Sequence, residues 1–239
     1  MKAVILAAGV GKRLWPVTQH RPKCLIEIGG QSLLHRYLRS LAEVGIPRAD
    51  IVVGYKQEMI RAAASSNSCG VRINFLVNEQ FHRGSISSLW IARTALDDDV
   101  IVMDADVLFH REILRRLVQS PYPSALLMDE TVKQTGEECM VVVEGGRVIA
   151  LTKRMPLRYD YAGEGVGFLK VRQADTPHVV ASLRTFVDRE AWQMEYEDAL
   201  LEFFREVKVG HEQIGGLPWT EIDFPEDVEK AERDILPKL

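Results

Sequence analysis

The first 130 residues alternate short apolar runs with stretches that repeat apolar residues at helical spacing. Lys2–Ala7 is a short run with β-branched residues, typical of a buried strand. Strands separated by helices form βαβ units, so this part of the chain predicts a parallel sheet with helices on both faces. Further strands are predicted at Ile51–Val53, Val71–Val77 and Val100–Met103, and helices at Ser32–Val44, Ser85–Leu96 and His110–Gln119.

The second half has a different pattern, in which antiparallel structure is expected. Cys139–Glu144 and Arg147–Leu151 are two β-rich runs around Gly145-Gly146, and together they predict a β-hairpin. The whole chain is therefore expected to form one α/β domain over residues 1–239, with a mixed, mostly parallel sheet flanked by helices and a small antiparallel elaboration. The main part would cover about 1–125 and 215–239, and the elaboration about 126–214. Three more helices are predicted, one opening at Asp175-Thr176-Pro177, one over Tyr196–Val207 and one beginning at Pro225.

Composition narrows the class of protein. Hydrophobic residues make up 46% and charged residues 27% of the chain, as expected for a folded globular protein. The net charge of −4 argues against a dedicated nucleic-acid binder, whose affinity rests on a basic surface. An odd number of cysteines without a CxxC pair indicates neither a disulfide framework nor a zinc site. No apolar run approaches the roughly 18 residues that span a bilayer, so a cytoplasmic protein without membrane insertion is expected.

A glycine-rich, basic loop follows the first predicted strand, in the run Leu6-Ala7-Ala8-Gly9-Val10-Gly11-Lys12-Arg13-Leu14. Glycines let the backbone approach a phosphate chain and present N–H groups to it, and Lys12 and Arg13 add positive charge. The run is neither a dinucleotide fingerprint, because Leu14 stands where a glycine would be needed, nor a Walker A loop. A plain strand-to-helix turn would use the same glycines. The basic pair favours phosphate binding.

Lys23 lies about ten residues further on, directly behind a proline. A lysine in this position can be fixed over a ligand instead of extending into solvent, because proline restricts the backbone. Taken alone, the same residues would be a surface lysine in a turn. Next to the glycine loop, Lys23 is a candidate ligand for the same phosphates.

Two acidic pairs are candidates for a metal site. Asp104 and Asp106 follow the strand Val100–Met103, at the edge of a parallel sheet where ligands bind. Mg²⁺ takes one or two carboxylates together with phosphate oxygens, and we assign it to Asp106, with Asp104 as a structural neighbour that could instead cap a turn. Near the C-terminus, Phe224 and not Asp223 directly precedes the helix-opening proline. Asp223 is therefore free to be the second metal ligand, with Glu221 on the same face as an acid that reads the substrate.

Hydroxyl groups open the predicted helix that follows Gly84. Ser85 and Ser88 belong to the run Gly84-Ser85-Ile86-Ser87-Ser88-Leu89, and serine is a common helix N-cap. The same side chains could also contact the base or the ribose of a nucleotide. The residues alone leave both interpretations open.

Taken together, these motifs resemble a known family. LAAGVGKRL, followed by RPKCLIEIGGQSLL, resembles the opening of the nucleoside-triphosphate transferases, which include sugar-1-phosphate nucleotidyltransferases and cytidylyltransferases for phosphocholine and inositol-1-phosphate. SSLWIA, VMDADVLF, EYED and WTEIDFPEDVEKA look most like the bacterial phosphocholine cytidylyltransferases. The resemblance spans nearly the whole chain. It implies a Rossmann-like, GT-A-like nucleotidyltransferase fold, CTP or another NTP as donor, Mg²⁺ as cofactor, and a small phosphorylated or phosphonate acceptor. A homodimer is one assembly open to such a chain.

The resemblance also implies roles for individual residues. The loop would hold the triphosphate, Lys23 the α-phosphate, and Asp106 and Asp223 the Mg²⁺, so that Arg13, Lys23, Asp106 and Asp223 form the catalytic set. The second set implied by the resemblance would surround the nucleotide: Leu6, Ala7, Ala8, Gly9, Gly11, Lys12, Arg13, Asn78, Gly84, Ser85, Ser88 and Asp104.

The acceptor side departs from the phosphocholine branch, although phosphocholine remains the leading acceptor, with 2-aminoethylphosphonate and phosphoethanolamine beside it. Gly84-Ser85 replaces asparagines, and Cys139 follows a segment where a choline-facing tryptophan is expected. An ammonium group would need acids and aromatic faces. The candidates for acceptor binding are Glu138, Lys153, Glu164, Trp192, Tyr196, Asp198, Trp219 and Glu221, with Tyr159, Tyr161 and Glu197 as further acids and aromatics.

Two alternatives stay open. The first is a sugar-1-phosphate or inositol-1-phosphate nucleotidyltransferase, which Lys153 favours because it is similar to a lysine of those branches. The acidic run Glu195–Asp198 opposes it, because a polyol needs no ammonium partner, and Gly163-Glu164-Gly165 resembles phosphonate cytidylyltransferases instead. The second is a metal-dependent glycosyltransferase, which also uses an Asp-x-Asp pair. Its substrate has no triphosphate, so the basic glycine loop argues against it.

Overall fold

A central mixed sheet organises the molecule. The computed structural model describes residues 1–132, 134–136 and 138–239. In chain order, its strands and helices are β1 (Lys2–Ala7), α1 (Val17–His20), β2 (Glu27–Ile28), β3 (Gln31–Ser32), α2 (Leu33–Glu43), β4 (Arg48–Val53), α3 (Gln57–Ser66), β5 (Arg72–Val77), α4 (Ile86–Ala92), β6 (Val100–Asp104), β7 (Val107–Phe109), α5 (Arg111–Gln119), β8 (Ala125–Asp129), β9 (Met140–Glu144), β10 (Arg147–Thr152), β11 (Tyr161–Val171), α6 (Thr176–Val187), α7 (Tyr196–Ala199), α8 (Leu201–Glu206), β12 (Gly210–Gln213), β13 (Trp219–Glu221) and α9 (Pro225–Lys230).

The first half of the sheet is parallel. Strand β1 lies between β6 and β4, β5 lies outside β4, and all three pairings are parallel. The predicted strands and helices of this half are confirmed. Helix α2 begins where the sequence predicts, because the Ser32 hydroxyl accepts a hydrogen bond from the His35 N–H at 3.3 Å and caps it.

The second half adds antiparallel strands to the same sheet. The long strand β11 pairs with β6 through residues 168–171 and with β9 through residues 161–164, and β8 runs along its other edge. The predicted hairpin is confirmed as β9 and β10, which pair antiparallel. Nine of the described strands form a mixed sheet flanked by helices, with the path β10-β9-β11-β6-β1-β4-β5, with β8 paired to β11 and β12 paired to β8. The short strands β2 and β3, and likewise β7 and β13, form separate two-stranded sheets. The predicted fold class is therefore confirmed.

The helix predicted over Tyr196–Val207 is wrong in one respect, because it is broken at Leu200 into α7 and α8. The hydroxyl of Ser182, on α6, lies at the break. It donates to the carbonyl oxygen of Ala199 and accepts from the N–H of Phe203, the two groups that an uninterrupted helix would join to each other. A side chain from a distant element thus divides a segment whose local pattern is helical.

Alternating side chains of the sheet form two apolar layers. In β1, Ala3 and Ile5 pack into the layer under α2 and α5, whereas Val4 packs into the layer under α4, α6 and α8. In β6, Ile101 and Val102 divide in the same way. Both faces of the sheet are therefore buried, as expected for strands covered by helices.

A third apolar cluster joins the two ends of the chain. Leu14, behind the glycine loop, packs with Ile222 and with Ile235, which belongs to the helical turn Ala231–Ile235 at the C-terminus. Leu108 of β7 lies in the same cluster. Leu14, Leu108 and Ile222 lie within two positions of Arg13, Asp106 and Asp223 in the sequence, so the cluster packs next to the segments that carry the candidate site. Among the helices of the described residues, none is both long and apolar enough to cross a membrane.

Candidate active site

Asp106 and Asp223 meet because two short strands pair next to them. Strand β13 pairs antiparallel with β7, with Glu221 opposite Val107. The N–H of Ile222 continues the pairing by donating to the carbonyl oxygen of Asp106 at 3.0 Å. This register brings the residue after β13 to the turn between β6 and β7. Two acids 117 positions apart in the sequence thus become neighbours.

Asp227 performs the helix cap that Asp223 leaves free. The Asp227 carboxylate lies in the first turn of α9 and accepts from the backbone N–H groups of Asp223 and Phe224, at 2.9 and 2.8 Å. The side chain of Asp223 therefore takes no part in capping and points to the site.

Lys23 and Arg13 bind the two carboxylates. The Lys23 ammonium group donates to Asp106 Oδ2 at 2.6 Å and to Asp223 Oδ1 at 2.5 Å. The Arg13 guanidinium binds Asp223 Oδ2 at 2.7 Å and lies 5.2 Å from the centre of the Phe224 ring. The structure thus brings together the four residues of the predicted catalytic set. Their catalytic role stays a prediction.

The glycine loop is folded against the segment that carries Lys23. Gly11 has a φ of +64°, which favours glycine, and a Cβ there would lie 3.3 Å from Lys23 Cβ. The Thr18 hydroxyl donates to the Gly11 carbonyl oxygen at 2.7 Å and holds the turn. Gly9 and Lys12 are exposed, so the outer side of this loop is open to a ligand. Ala7 and Ala8, by contrast, are buried.

Carboxylates dominate the electrostatics of the site. Burial alone would lower the pKa of Lys23, but the carboxylates of Asp106 and Asp223 outweigh it and raise that pKa above its usual range. Burial, together with the same two aspartates, raises the pKa of Glu221 to about 8. Glu221 therefore lies close to the two aspartates, and the positive charges of Lys23 and Arg13 do not offset the rise of its pKa.

Three carboxylates fit a divalent metal ion. Oxygen atoms of Asp106, Glu221 and Asp223 lie within 4.8 Å of one another. Asp106 Oδ1 is buried and has no hydrogen-bond partner among the described residues, which is an unusual state for a carboxylate oxygen. Hard oxygen ligands of this kind suit Mg²⁺. The predicted pair Asp106 and Asp223 is thus compatible with the ion, and Glu221 joins them as a third candidate ligand.

A second acidic group lies beside the first. The Tyr196 hydroxyl donates to Asp104 Oδ2 at 2.9 Å, and burial together with Glu197 raises the pKa of Asp104 well above its usual range. Burial also raises the pKa of Glu197 to about 7. Glu197 Oε2 is buried without a hydrogen-bond partner among the described residues. The structure therefore brings Tyr196 and Glu197, from the acceptor candidates, next to Asp104 and close to Asp106.

The segment Trp192–Tyr196 lies across the start of α4. The Gly84 N–H donates to the Trp192 carbonyl oxygen at 2.7 Å, and the Ser85 hydroxyl accepts from the Tyr196 N–H at 2.8 Å. A Cβ on Gly84 would lie 2.2 Å from the Met194 carbonyl oxygen, so only glycine permits this approach. Gly84 and Ser85, predicted to lie near a nucleotide, thus also hold this segment to α4.

The remaining nucleotide candidates are mutually bonded. The Asn78 amide donates to the hydroxyls of Ser87 and Ser88, at 2.9 and 3.1 Å, and Asn78 is 1% exposed. These side chains order the turn between β5 and α4. Leu6, at the end of β1, is half-buried.

The acceptor candidates fall into separate places. Glu164 lies on β11 opposite Asp129, whose carboxylate accepts from Trp219 Nε1 at 2.8 Å. Burial, with the carboxylates of Glu138 and Asp129, raises the pKa of Glu164 to about 7. Asp129 is a residue that sequence reasoning missed, because the strand that carries it was not predicted.

Among the described residues, Lys153, Trp192 and Asp198 form no hydrogen bond or ion pair with Glu164 or Asp129. Lys153 and Asp198 are exposed. The Trp192 ring lies under the Arg83 guanidinium, on the outer side of the segment that crosses α4. Glu138 binds locally, since its carboxylate accepts from the N–H and hydroxyl of Thr135, and these bonds lower the pKa of Glu138 to about 2.

Comparison with known proteins decides the family. The model of the nucleotidyl transferase family matches residues 2–132, more than half of the chain, and this range contains the glycine loop, Lys23 and Asp106. The chain belongs to the nucleotidyl transferase family. The resemblance identified in the sequence is confirmed at this level, and with it the prediction of an enzyme of this kind.

Individual nucleotidyl transferases resemble the whole chain. CMP-5'-(3-aminopropyl)phosphonate synthase of Streptomyces rubellomurinus is 29% identical over 99% of this chain and 39% of its own length. The bifunctional IPC transferase and DIPP synthase of Rubrobacter xylanophilus is 30% identical over 98% of this chain and 52% of its own length. The chain thus spans about half or less of these two relatives. The structure of CTP:phosphocholine cytidylyltransferase from Streptococcus pneumoniae superposes with a TM-score of 0.78, at 25% identity over 97% of each chain.

Proposed function

We propose that this nucleotidyl transferase moves CMP from CTP to a small phosphate or phosphonate that carries an amine, with release of pyrophosphate. Phosphocholine is the leading acceptor, with 2-aminoethylphosphonate and phosphoethanolamine as close alternatives. The observation that carries the proposal is the excess of carboxylates around the predicted phosphate site. Relatives whose names contain CTP or CMP support the choice of nucleotide.

Acidic groups outnumber basic groups at this site. Lys23 and Arg13 balance the charge of Asp106 and Asp223. The other acids there are Asp104, Glu197 and Glu221. Burial is the main cause of the raised pKa of each of them, and neighbouring carboxylates raise it further. Such a field disfavours the phosphates that the reaction must bring in, unless additional cations enter with them.

An ammonium group on the acceptor would relieve this field. Glu197, with its unpartnered buried oxygen, is the residue that we assign to it. Tyr196 lies beside Glu197 and could add an aromatic face to the same contact. A neutral polyol would leave the buried Glu197 oxygen without a counter-charge, which costs free energy.

The reaction needs positioning more than proton transfer. A phosphate oxygen of the acceptor would attack the α-phosphorus of CTP, forming a new P–O bond while the bond from the α-phosphorus to the bridging oxygen breaks and pyrophosphate leaves. A phosphate monoester has a second pKa near 6 and is largely dianionic at neutral pH, so no general base is required. Lys23 and Arg13 would bind phosphate oxygens and offset the repulsion between the two anions. Asp106 and Asp223 would hold the magnesium ion, which supplies further charge neutralisation when bound.

A polyol phosphate is the second candidate acceptor. It is favoured by Lys153, an exposed lysine after β10 that is similar to a lysine of the sugar and inositol branches. Lys153 could bind the acceptor phosphate in that case. The acceptor assay therefore includes inositol-1-phosphate and glucose-1-phosphate.

Pyrophosphate release tests the proposal directly. The purified protein is assayed with Mg²⁺, each of the four NTPs, and phosphocholine, phosphoethanolamine, 2-aminoethylphosphonate, inositol-1-phosphate or glucose-1-phosphate. We expect release with CTP and an amine-bearing acceptor. Release only with a polyol phosphate would transfer the proposal to the second candidate, and release with none of the acceptors would contradict both.

Glu197→Gln separates the acceptor assignment from general damage. It keeps the size of the side chain and removes its charge, so we expect the KM of the ammonium-bearing acceptor to rise about tenfold or more, because the ammonium group loses an opposite charge, with the KM of CTP nearly unchanged. Glu202→Gln, on the exposed side of α8, is the matched control. Equal effects of Glu197→Gln on both KM values would argue against the assignment.

A further inference from the structure

Basic side chains already bind most of the oxygens of the predicted metal ligands. Of the four carboxylate oxygens of Asp106 and Asp223, two accept hydrogen bonds from the Lys23 ammonium group, at 2.6 and 2.5 Å, and a third forms an ion pair with the Arg13 guanidinium at 2.7 Å. The fourth, Asp106 Oδ1, is buried and has no partner among the described residues. Lys23 itself is 14% exposed and is enclosed between the two acids.

A metal ion and the two basic side chains compete for the same carboxylates. Mg²⁺ held by both aspartates would need an oxygen of each. Asp106 Oδ1 has no basic partner among the described residues, but Lys23 and Arg13 bind both oxygens of Asp223. Two cations in that space would also repel each other in a partly buried site, where screening by water is weak. Binding of the metal ion by both carboxylates therefore competes with the ion pairs that Lys23 and Arg13 form with them.

We propose that Lys23, assisted by Arg13, excludes the divalent cation from Asp106 and Asp223 until a triphosphate draws the two basic side chains away. Metal ion and nucleotide then enter together, and neither binds tightly alone. The inference rests on the proposed function only in that the nucleotide is a triphosphate bound at the glycine loop. It assigns to Lys23 a second role, selection of the order of binding, besides contact with phosphate.

The position of Lys23 beside the glycine loop makes the exchange short. The Lys23 side chain starts beside Gly11, since a Cβ added to that glycine would lie 3.3 Å from Lys23 Cβ. A lysine stem has four carbons joined by rotatable bonds, so changes of side-chain torsion can move the ammonium group from the carboxylates towards phosphates on the loop without a change of backbone. Arg13 belongs to the loop and is 54% exposed, so its guanidinium group is free to follow.

The exclusion is tested on the nucleotide-free protein with Mn²⁺, observed by electron paramagnetic resonance. We expect Lys23→Met to bind Mn²⁺ about 5- to 150-fold more tightly than the wild type, the usual range for two coupled sites. Lys208→Met, which removes an exposed lysine elsewhere, should leave the affinity unchanged. The gain should disappear in the double variant Lys23→Met/Asp106→Asn. Unchanged or weaker Mn²⁺ binding by folded Lys23→Met would overturn the proposal.

Arg13→Gln keeps the test decisive if Lys23→Met does not fold. Arg13 is half-exposed and binds one oxygen of Asp223, so its loss should tighten Mn²⁺ binding by a smaller factor. If Lys23→Met is unfolded by circular dichroism and Arg13→Gln shows no gain, the proposal fails.

The release step is tested without metal, using inorganic tripolyphosphate and EDTA on the ¹⁵N-labelled wild type. The Lys23 ammonium resonance is assigned by its absence from the spectrum of Lys23→Met or Lys23→Arg. This resonance should shift when the protein is saturated with tripolyphosphate. A resonance that stays in place while tripolyphosphate binds would overturn the proposal. Failure of the proposed function would be visible elsewhere, as absence of turnover with CTP while Lys23 still competes with Mn²⁺.

Discussion

At the scale of single residues, Asp106 and Asp223 are the two acids on which the chemistry depends. Changing either to asparagine removes a predicted metal ligand and one partner of Lys23 while keeping the shape of the side chain. We expect Asp106→Asn and Asp223→Asn to lower turnover by about 10²- to 10³-fold or more, the usual cost of losing one group that stabilises transition-state charge. Pyrophosphate release measures the effect.

The fold should survive both changes, because the two side chains are partly exposed and the strand pairing beside them uses backbone groups. Asp188→Asn, on an exposed residue at the end of α6, is the control for a lost aspartate charge. Normal turnover in either site variant would remove that residue from the metal assignment.

Glu164 gives a pH-dependent test of the acceptor side. Burial, with Glu138 and Asp129, raises its pKa in the folded protein to about 7, above the value of about 4.3 expected in the unfolded chain. A group with a raised folded pKa stabilises the fold fully below its unfolded pKa and loses that contribution as the pH rises to the folded pKa. Glu164→Gln lacks the loss, so its stability relative to the wild type should increase by about 1–3 kcal/mol between pH 4 and pH 8.

Urea unfolding at the two pH values measures this difference. Glu144→Gln, on the exposed end of β9, serves as control and should show no comparable change between them. An equal effect of Glu164→Gln at both pH values would contradict a raised pKa. The same raised pKa means that a cationic ligand close to Glu164 would restore its charge.

The sequence shows which residue types are suited to the chemistry, but it does not show which of them contact each other. The glycine loop, Lys23 and Asp106 could be singled out because glycine, a proline-fixed lysine and an acid at a strand end each have a chemical reason to be there. The contact between Lys23 and both aspartates could not, since it spans 83 and 200 positions of the chain. Only the fold determines such distances.

At the scale of elements, the strands of the first half were predictable and several of the second half were not. β11 carries Gly163, Gly165 and Gly167, which locally indicate a loop. For two of these glycines, residues distant in the sequence leave no room for a side chain. A Cβ on Gly163 would lie 2.4 Å from Met128 Cγ, and one on Gly167 would lie 2.7 Å from Asp104 Oδ2. The glycines that prevented prediction of this strand therefore also allow it to pack closely against β8 and Asp104.

The pairing of β7 with β13 was equally hidden. Each strand has three residues, too few to show an alternating pattern. Their pairing nevertheless places Asp223 next to Asp106. The sequence indicated the functional acids by their types, whereas the short strands that bring them together form only in the folded chain.

At the scale of the whole molecule, the candidate site depends on apolar packing between distant parts of the chain. Leu14 is fully buried in the cluster that also contains Leu108, Ile222 and Ile235. Arg13 and Asp223 are the direct neighbours of two of these residues. The cluster should therefore link the stability of the fold to the geometry of the site.

Leu14→Ala tests that link. Truncating a buried leucine removes apolar contacts and leaves a cavity, so we expect the free energy of unfolding to fall by about 2–5 kcal/mol. Leu157→Ala, at a fully exposed leucine, is the matched control and should change neither stability nor turnover. If the cluster positions Arg13 and Asp223, Leu14→Ala should also raise the KM for the nucleotide under conditions in which the variant is fully folded. A destabilised variant with unchanged kinetic constants would show that the ion pairs hold the site without the apolar cluster beneath them.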